Sequence, residues 1–170
     1  MIEKQLGDWK ILMGEIFDFT RVHNVVLPAV CDHLCYRVET DERYQEVKGL
    51  LLQYGELAGE ELVSGRLISI FNLHEPLGYQ QYKIDCIELP APKEGSPYKE
   101  GWEHAEFVCD HLEDFLKRYS HLSFKLSGMS KNLNPEAALE ISSKYQIKFH
   151  PLHILKVLEI EKTAKNSLKV

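Results

Sequence analysis

Apolar side chains at Ile2, Leu6, Trp9, Leu12, Met13, Ile16 and Phe17 recur three and four residues apart, a spacing that predicts one helix with a single apolar stripe over residues 1–20. The stripe breaks after Arg21, and Pro28 stops any continuation before the next element. From Asp32 to Val38 the period changes to two: Leu34, Tyr36 and Val38 share one face of a strand, and His33, Cys35 and Arg37 share the other. Thr40 then offers an N-cap, Asp41 and Glu42 suit a first turn, Tyr44, Val47, Leu51 and Tyr54 return to helical spacing, and Gly55 is placed to end that helix. Strands are predicted at 66–73, after the Ser64-Gly65 turn, and at 79–89, with Gly78 between them.

The stretch 90–101 carries three prolines and two glycines, the composition of an ordered connecting loop. Beyond it the same order of elements returns. Residues 103–108 form a strand, Leu112, Phe115, Leu116 and Tyr119 mark a short helix, and 123–127, 137–141 and 145–150 are further strands. Pro151 suits the first position of a closing helix whose apolar side chains include Leu152, Ile154, Leu155 and Leu158. The reading is an α+β chain in one domain: an N-terminal helical segment (1–30), module one (31–90), a connecting loop (91–100), module two (101–150) and a C-terminal helix and tail (151–170). The duplication rests on element order and ligand placement, because no residue-level repeat stands out between the halves.

Composition narrows the function classes. A chain of 170 residues is enough for one domain with a real core. Its formal charge of −6, without a Lys/Arg cluster, speaks against nucleic acid as a partner. No apolar run approaches the roughly 20 residues of a membrane helix, and the first residues lack a signal-peptide pattern. Cys31, Cys35, Cys86 and Cys109 form no C-x-x-C pair, so a reduced, cytoplasmic location is expected. Oligomeric state is left open.

The polar faces carry the candidate chemistry. His33, Glu88, His104 and His150 each lie on a predicted strand; His104 and Glu106 oppose Ala105 and Phe107, while Lys148 and His150 oppose Ile147 and Phe149. If the strands curl with helices outside, these faces line one concavity. Imidazoles with a carboxylate suit a divalent transition metal such as Zn, Fe, Ni, Co or Mn and argue against Ca or Mg. Arg37 is the candidate to orient a substrate and Glu106 the candidate general base, with an Arg37–Glu106 ion pair as the alternative. The histidines also have plainer readings, as hydrogen-bonded core residues or, for His150, a capping residue. His74-Glu75-Pro76 reads as a turn.

The stretches Asp32-His33-Leu34-Cys35-Tyr36-Arg37, Ile68-Ser69-Ile70-Phe71-Asn72-Leu73-His74-Glu75-Pro76, Ile87-Glu88-Leu89-Pro90-Ala91-Pro92, Gly101-Trp102-Glu103-His104-Ala105-Glu106 and Ile147-Lys148-Phe149-His150-Pro151 resemble the YecM family within the vicinal oxygen chelate superfamily. The resemblance implies two tandem βαβββ modules forming a curved mixed sheet around a metal-binding cup, with relatives acting as glyoxalases, epimerases, dioxygenases and antibiotic-resistance proteins. It implies ligands at His33, Glu88 and His104. The superfamily's usual fourth ligand, a Glu ending module two, has no counterpart here; His150 is ranked first for it, then Glu140, then Glu159. The expected function is metal-dependent catalysis on a small oxygen-rich substrate, isomerase- or epimerase-like before dioxygenase-like. The alternative is a binding protein of the same fold that sequesters a small molecule.

Overall fold

The computed structural model describes residues 2–95 and 98–167, so Ser96 and Pro97 of the expected connecting loop and the last three residues of the tail lie outside the described residues. The N-terminal stripe folds as two helices, α1 (Glu3–Leu6) and α2 (Lys10–Val22), rather than one, because Gly7 at φ 80° turns the chain between them. Module one follows as β1 (Val30–Arg37), α3 (Asp41–Leu51), β2 (Gly55–Val63), β3 (Arg66–Tyr79) and β4 (Tyr82–Pro90). Module two is β5 (Gly101–Val108), α4 (Leu112–Arg118), β6 (Ala137–Glu140) and β7 (Gln146–His150), after which α5 (Ile154–Ser167) closes the described chain.

One seven-stranded, curved and unclosed sheet runs β2-β3-β4-β1-β5-β7-β6, with β1 and β5 antiparallel at the joint between modules. Each module thus places its first strand parallel to its last, β1 beside β4 and β5 beside β7. Module two is the poorer copy. Its second β-segment, expected at 123–127, is a single bridge from Lys125 to Ala138 followed by a 3-10 turn at Ser127–Ser130.

The strand β2 was not legible in the sequence. Its residues Gly55-Glu56-Leu57-Ala58-Gly59-Glu60-Glu61-Leu62-Val63 mix three glutamates and two glycines, so period-two alternation is lost, as an exposed edge strand tolerates. Gly55 begins this strand instead of capping α3; a side chain there would meet the Asn72 carbonyl oxygen at 2.3 Å. The N-cap of α3 is as expected, with Arg43 N donating to Thr40 Oγ1 at 3.1 Å. The β3–β4 turn falls at Gln80–Gln81, with Gln80 at φ 50°, not at Gly78.

Helices α1 to α4 cover the apolar sheet face. The Trp102 indole donates to Gly7 O at 3.0 Å, Phe17 meets Tyr82 at 5.9 Å between ring centroids, and Phe115 packs on Phe149 at 4.5 Å. Leu34, Phe71, Ile87, Ala105, Phe107, Ile147 and Phe149 beneath them have no exposed area, and rings buried together in this way dominate core energetics. Helix α5 lies on the opposite face. It starts at Ile154 rather than Pro151, where Ile154 N donates to Asp32 Oδ2 at 2.7 Å, and crosses to the far edge of module one. Gly59, Ile70 and Glu88 stand in register on that face, and Leu158 fills the space where a Gly59 side chain would project, 2.8 Å from its Cβ position. Four cysteines are buried and free. No helix among the described residues is long and apolar enough to cross a membrane.

Candidate metal centre

Two β-bulges build the centre. Between β1 and β5 the register runs Cys31 with Phe107 and then His33 with Glu106, leaving Asp32 without a counterpart; it runs Cys35 with His104 and then Tyr36 with Trp102, leaving Glu103 without one. Strict alternation would send both acids to the apolar face. The bulges instead keep Asp32 beside His33 and Glu103 beside His104, while His33, Cys35, His104 and Glu106 all point to the polar face.

The result is a carboxylate behind each imidazole. Glu103 Oε2 lies 2.8 Å from His104 Nδ1 in a hydrogen bond, and Asp32 Oδ1 lies 3.0 Å from His33 Nδ1, close but without hydrogen-bond alignment. With the proton of His104 on Nδ1, its Nε2 presents a lone pair to the cup, the arrangement a metal-bound histidine needs. Arg37 Nε donates to the same Glu103 oxygen at 2.7 Å, and its guanidinium stacks on Tyr98 at 4.4 Å. Arg37 therefore braces His104 through Glu103 and does not pair with Glu106.

The two Nε2 atoms face carboxylates on both sides. His33 Nε2 is 4.0 Å from Glu88 Oε2 and 3.4 Å from Glu106 Oε1; His104 Nε2 is 3.8 Å from Glu88 Oε1 and 3.0 Å from Glu106 Oε1. Donors bound about 2.0–2.2 Å from one cation lie roughly 3 to 3.5 Å apart, so these four side chains are near ligating distance. His33, His104 and Glu106 each bring one donor atom close to the other two, while Glu88 approaches the two imidazoles through different oxygens. His150 stands to one side: its Nε2 is 3.1 Å from Glu106 Oε2 and 3.5 Å from Asp32 Oδ1, and its ring stacks at 6.1 Å on that of His33. Glu140 pairs with Lys125 and Glu159 with Lys156, both on exposed surface.

Charge and burial test whether a metal fits. Asp32, Glu88, Glu103, Glu106 and Glu136 gather around two permanent cations, Arg37 and Lys148, with Lys148 Nζ 2.9 Å from Glu106 Oε1 and 3.7 Å from Glu136. A buried surplus of negative charge requires protons or a cation. Burial works against a charged His150, yet contacts with Asp32 and Glu106 lift its pKa to about 9. His33 is likewise raised by Glu106 and Asp32 against the cost of burial. Burial opposes ionisation of Glu106 too, but Lys148 and His33 hold it well below the usual carboxylate range. Among the described residues the buried Nε2 atoms of His33, His104 and His150 have no hydrogen-bond partner, and His33, His104 and Glu106 can present donors within 4.8 Å of one another. Imidazole nitrogens left without partners among ionised carboxylates fit a divalent cation. Asp32, His33 and His150 form a second, overlapping set on the other side of the His33 ring.

Sequence reading missed Asp32, Glu103 and Lys148. The acid-histidine pair, repeated as Asp32-His33 and Glu103-His104, was the available signal for the first two. Lys148 was visible only as a polar-face residue; its burial is a tertiary fact. The His74-Glu75-Pro76 stretch lies away from the centre, in a cleft of about 530 Å³ with Trp9, Lys10 and Tyr54.

Comparison with known proteins agrees with this architecture. Protein YecM of Escherichia coli (strain K12) is 32% identical over 157 residues, covering 82% of each chain. A solved structure described as Structural Genomics, Protein EC4020, aligns with a TM-score of 0.75 at 27% identity over 89% of this chain and 88% of that one. Methylmalonyl-CoA epimerase from Mycobacterium tuberculosis, of the vicinal oxygen chelate superfamily, shares the fold at a TM-score of 0.54 and 14% identity, over 80% of this chain and 99% of that one. The YecM protein family matches residues 2–161, and the chain belongs to that family.

Proposed function

We propose that the cup is a metal-dependent catalytic centre for a small substrate presenting two neighbouring oxygens, with isomerase- or epimerase-type proton transfer as its chemistry. The carrying observation is the pair of carboxylate-backed imidazoles, Asp32–His33 and Glu103–His104, whose Nε2 atoms both face Glu88 and Glu106. A fold shared with an epimerase adds to this reading but does not carry it, since one fold hosts many reactions.

His33, Glu88 and His104 would hold a divalent transition metal. Such a cation, when bound, supplies Lewis-acid polarisation of a substrate oxygen and stabilises negative charge that develops on it. The chain's own residues do the rest. Glu103 and Asp32 orient the imidazoles, and Arg37 anchors Glu103. His150, with Asp32 beside its Nε2, is placed to hold and move a proton at that atom. Arg37 Nε is bonded to Glu103 and the guanidinium stacks on Tyr98, which gives it a bracing role, while its buried Nη1, without a hydrogen-bond partner among the described residues, is the part that would orient a substrate.

The test has two steps. Full-length protein purified without chelators is expected to contain about one transition metal per chain by elemental analysis, lost in the His33→Ala/His104→Ala variant. The loaded protein is then incubated in D2O with 2-oxo acids, 2-hydroxy acids and acyl-CoA thioesters, and exchange of the carbon-bound proton is followed by NMR. Metal-free protein that cannot be loaded would end the proposal. Protein that loads but exchanges no proton, while still binding one of these compounds, would favour sequestration.

A further inference from the structure

At one equivalent position the last strands of the two modules carry opposite charge. In module one the parallel pairing matches His33 with Cys86, Leu34 with Ile87 and Cys35 with Glu88. In module two it matches His104 with Gln146, Ala105 with Ile147 and Glu106 with Lys148. Aligning the two histidines puts Lys148 where Glu88 stands, and Glu106 where Cys35 stands. His150 falls two residues past Lys148, at the place of Pro90. Module one therefore has a thiol on its first strand and a carboxylate on its last; module two has the carboxylate on its first strand and an ammonium on its last.

We propose, resting on the metal-centre reading above, that Glu106 is the fourth metal donor, supplied from the first strand of module two instead of its last, and that Lys148 is the positioning residue that holds it. The contacts form a closed ring in which imidazole and carboxylate alternate: His33 to Glu88 at 4.0 Å, Glu88 to His104 at 3.8 Å, His104 to Glu106 at 3.0 Å and Glu106 to His33 at 3.4 Å. Glu106 Oε1 faces both imidazoles and accepts from the Lys148 ammonium at 2.9 Å, while Oε2 lies 3.1 Å from His150 Nε2 on the other side, close but without hydrogen-bond alignment. Glu106 is 5% exposed, and its Oε1 is held by Lys148. Two carboxylates and two imidazoles match a dication in charge, and Glu136 faces the Lys148 charge at 3.7 Å. His150 is the weaker candidate for the fourth donor, because its carboxylate neighbours are Asp32 and the outer oxygen of Glu106, on the far side of the His33 ring.

The experiment moves the carboxylate back to the last strand. Metal-free full-length protein is titrated with cobalt(II) and the visible absorption followed, for wild type, Glu106→Gln, Glu106→Gln/Lys148→Glu and His104→Ala. Glu106→Gln is expected to weaken cobalt binding on the order of 100-fold, and the double variant to recover most of that loss. Glu106→Cys gives a second readout that needs no charge swap: a near-ultraviolet thiolate-to-cobalt band absent from wild type. It decides the matter if the double variant does not fold by circular dichroism. The inference is overturned if Glu106→Gln binds cobalt like wild type while His104→Ala does not, if a folded double variant recovers nothing, or if the Cys variant binds cobalt without the new band. Wild type that binds no cobalt would instead remove the metal-centre reading itself.

Discussion

Module one and module two present the same first strand and differ in almost everything that follows it. Asp32-His33-Leu34-Cys35-Tyr36 and Glu103-His104-Ala105-Glu106-Phe107 pair reciprocally, His33 with Glu106 and Cys35 with His104, and each carries its acid on a bulge. Past that point module one has an 11-residue capped helix and a full edge strand, whereas module two has a seven-residue helix with no side-chain cap and a single bridge at Lys125. The lesson is that the centre depends on the joint between modules, where two first strands lie side by side. The outer strands are free to shrink as long as the apolar face stays covered.

Breaking the apolar packing of module two is expected to have the largest effect. Phe149→Ala, beneath the helix of module two, should cost about 3 to 5 kcal/mol of unfolding free energy in denaturant titrations, because the ring is fully buried against Phe107, Phe115 and Phe124. Next come the two bulge acids, which give the sharpest test of equivalence between modules. Asp32→Asn and Glu103→Gln should each weaken cobalt binding by roughly 10- to 100-fold, with the fold retained, if both act behind an imidazole. A large loss at Glu103 with none at Asp32 would mean that only the aligned hydrogen bond to His104 matters.

A smaller contrast concerns pH. The Lys48 and Ser69 hydrogen bonds hold Glu60 of module one at a pKa of about 2, and Tyr44 adds a third contact at 2.9 Å. The folded value lies below the unfolded one, so this stability is fully present above the usual carboxylate range. It is lost as pH falls toward 2. The stability gap between wild type and Glu60→Gln is therefore expected to be flat near neutral pH and to shrink below about pH 4. Glu140→Gln in module two, where the Lys125 partner is more than half exposed, should change stability by less than about 0.5 kcal/mol at any pH. Smallest is the helix start: Thr40→Ala should cost about 1 kcal/mol through the lost cap, while His111→Ala at the uncapped start of α4 should sit within about 0.5 kcal/mol of wild type in thermal melts.

Much of this was legible in the chain itself. The alternation at Leu34-Tyr36, Ala105-Phe107 and Ile147-Phe149 determined which strand faces are buried, because a period of two admits one answer once one face is apolar. Thr40 marked a helix start, and Pro28 marked a break. The histidines were found because each sits on the polar side of such a strand. Where patterning failed, it failed for local reasons: β2 is an edge strand rich in Glu and Gly, and α1 and α2 share one stripe across the turn at Gly7.

The sequence by itself determined most of the elements, the apolar face and the histidine positions, since these follow from side-chain periodicity along one strand or helix. Tertiary structure alone decided which acids reach those histidines. A bulge is a property of two paired strands, so Asp32 and Glu103 could not be placed from either strand separately. It also decided that Lys148, not His150, answers Glu88, and that α5 lies across the polar face, because register and crossing depend on contacts between residues far apart in the chain.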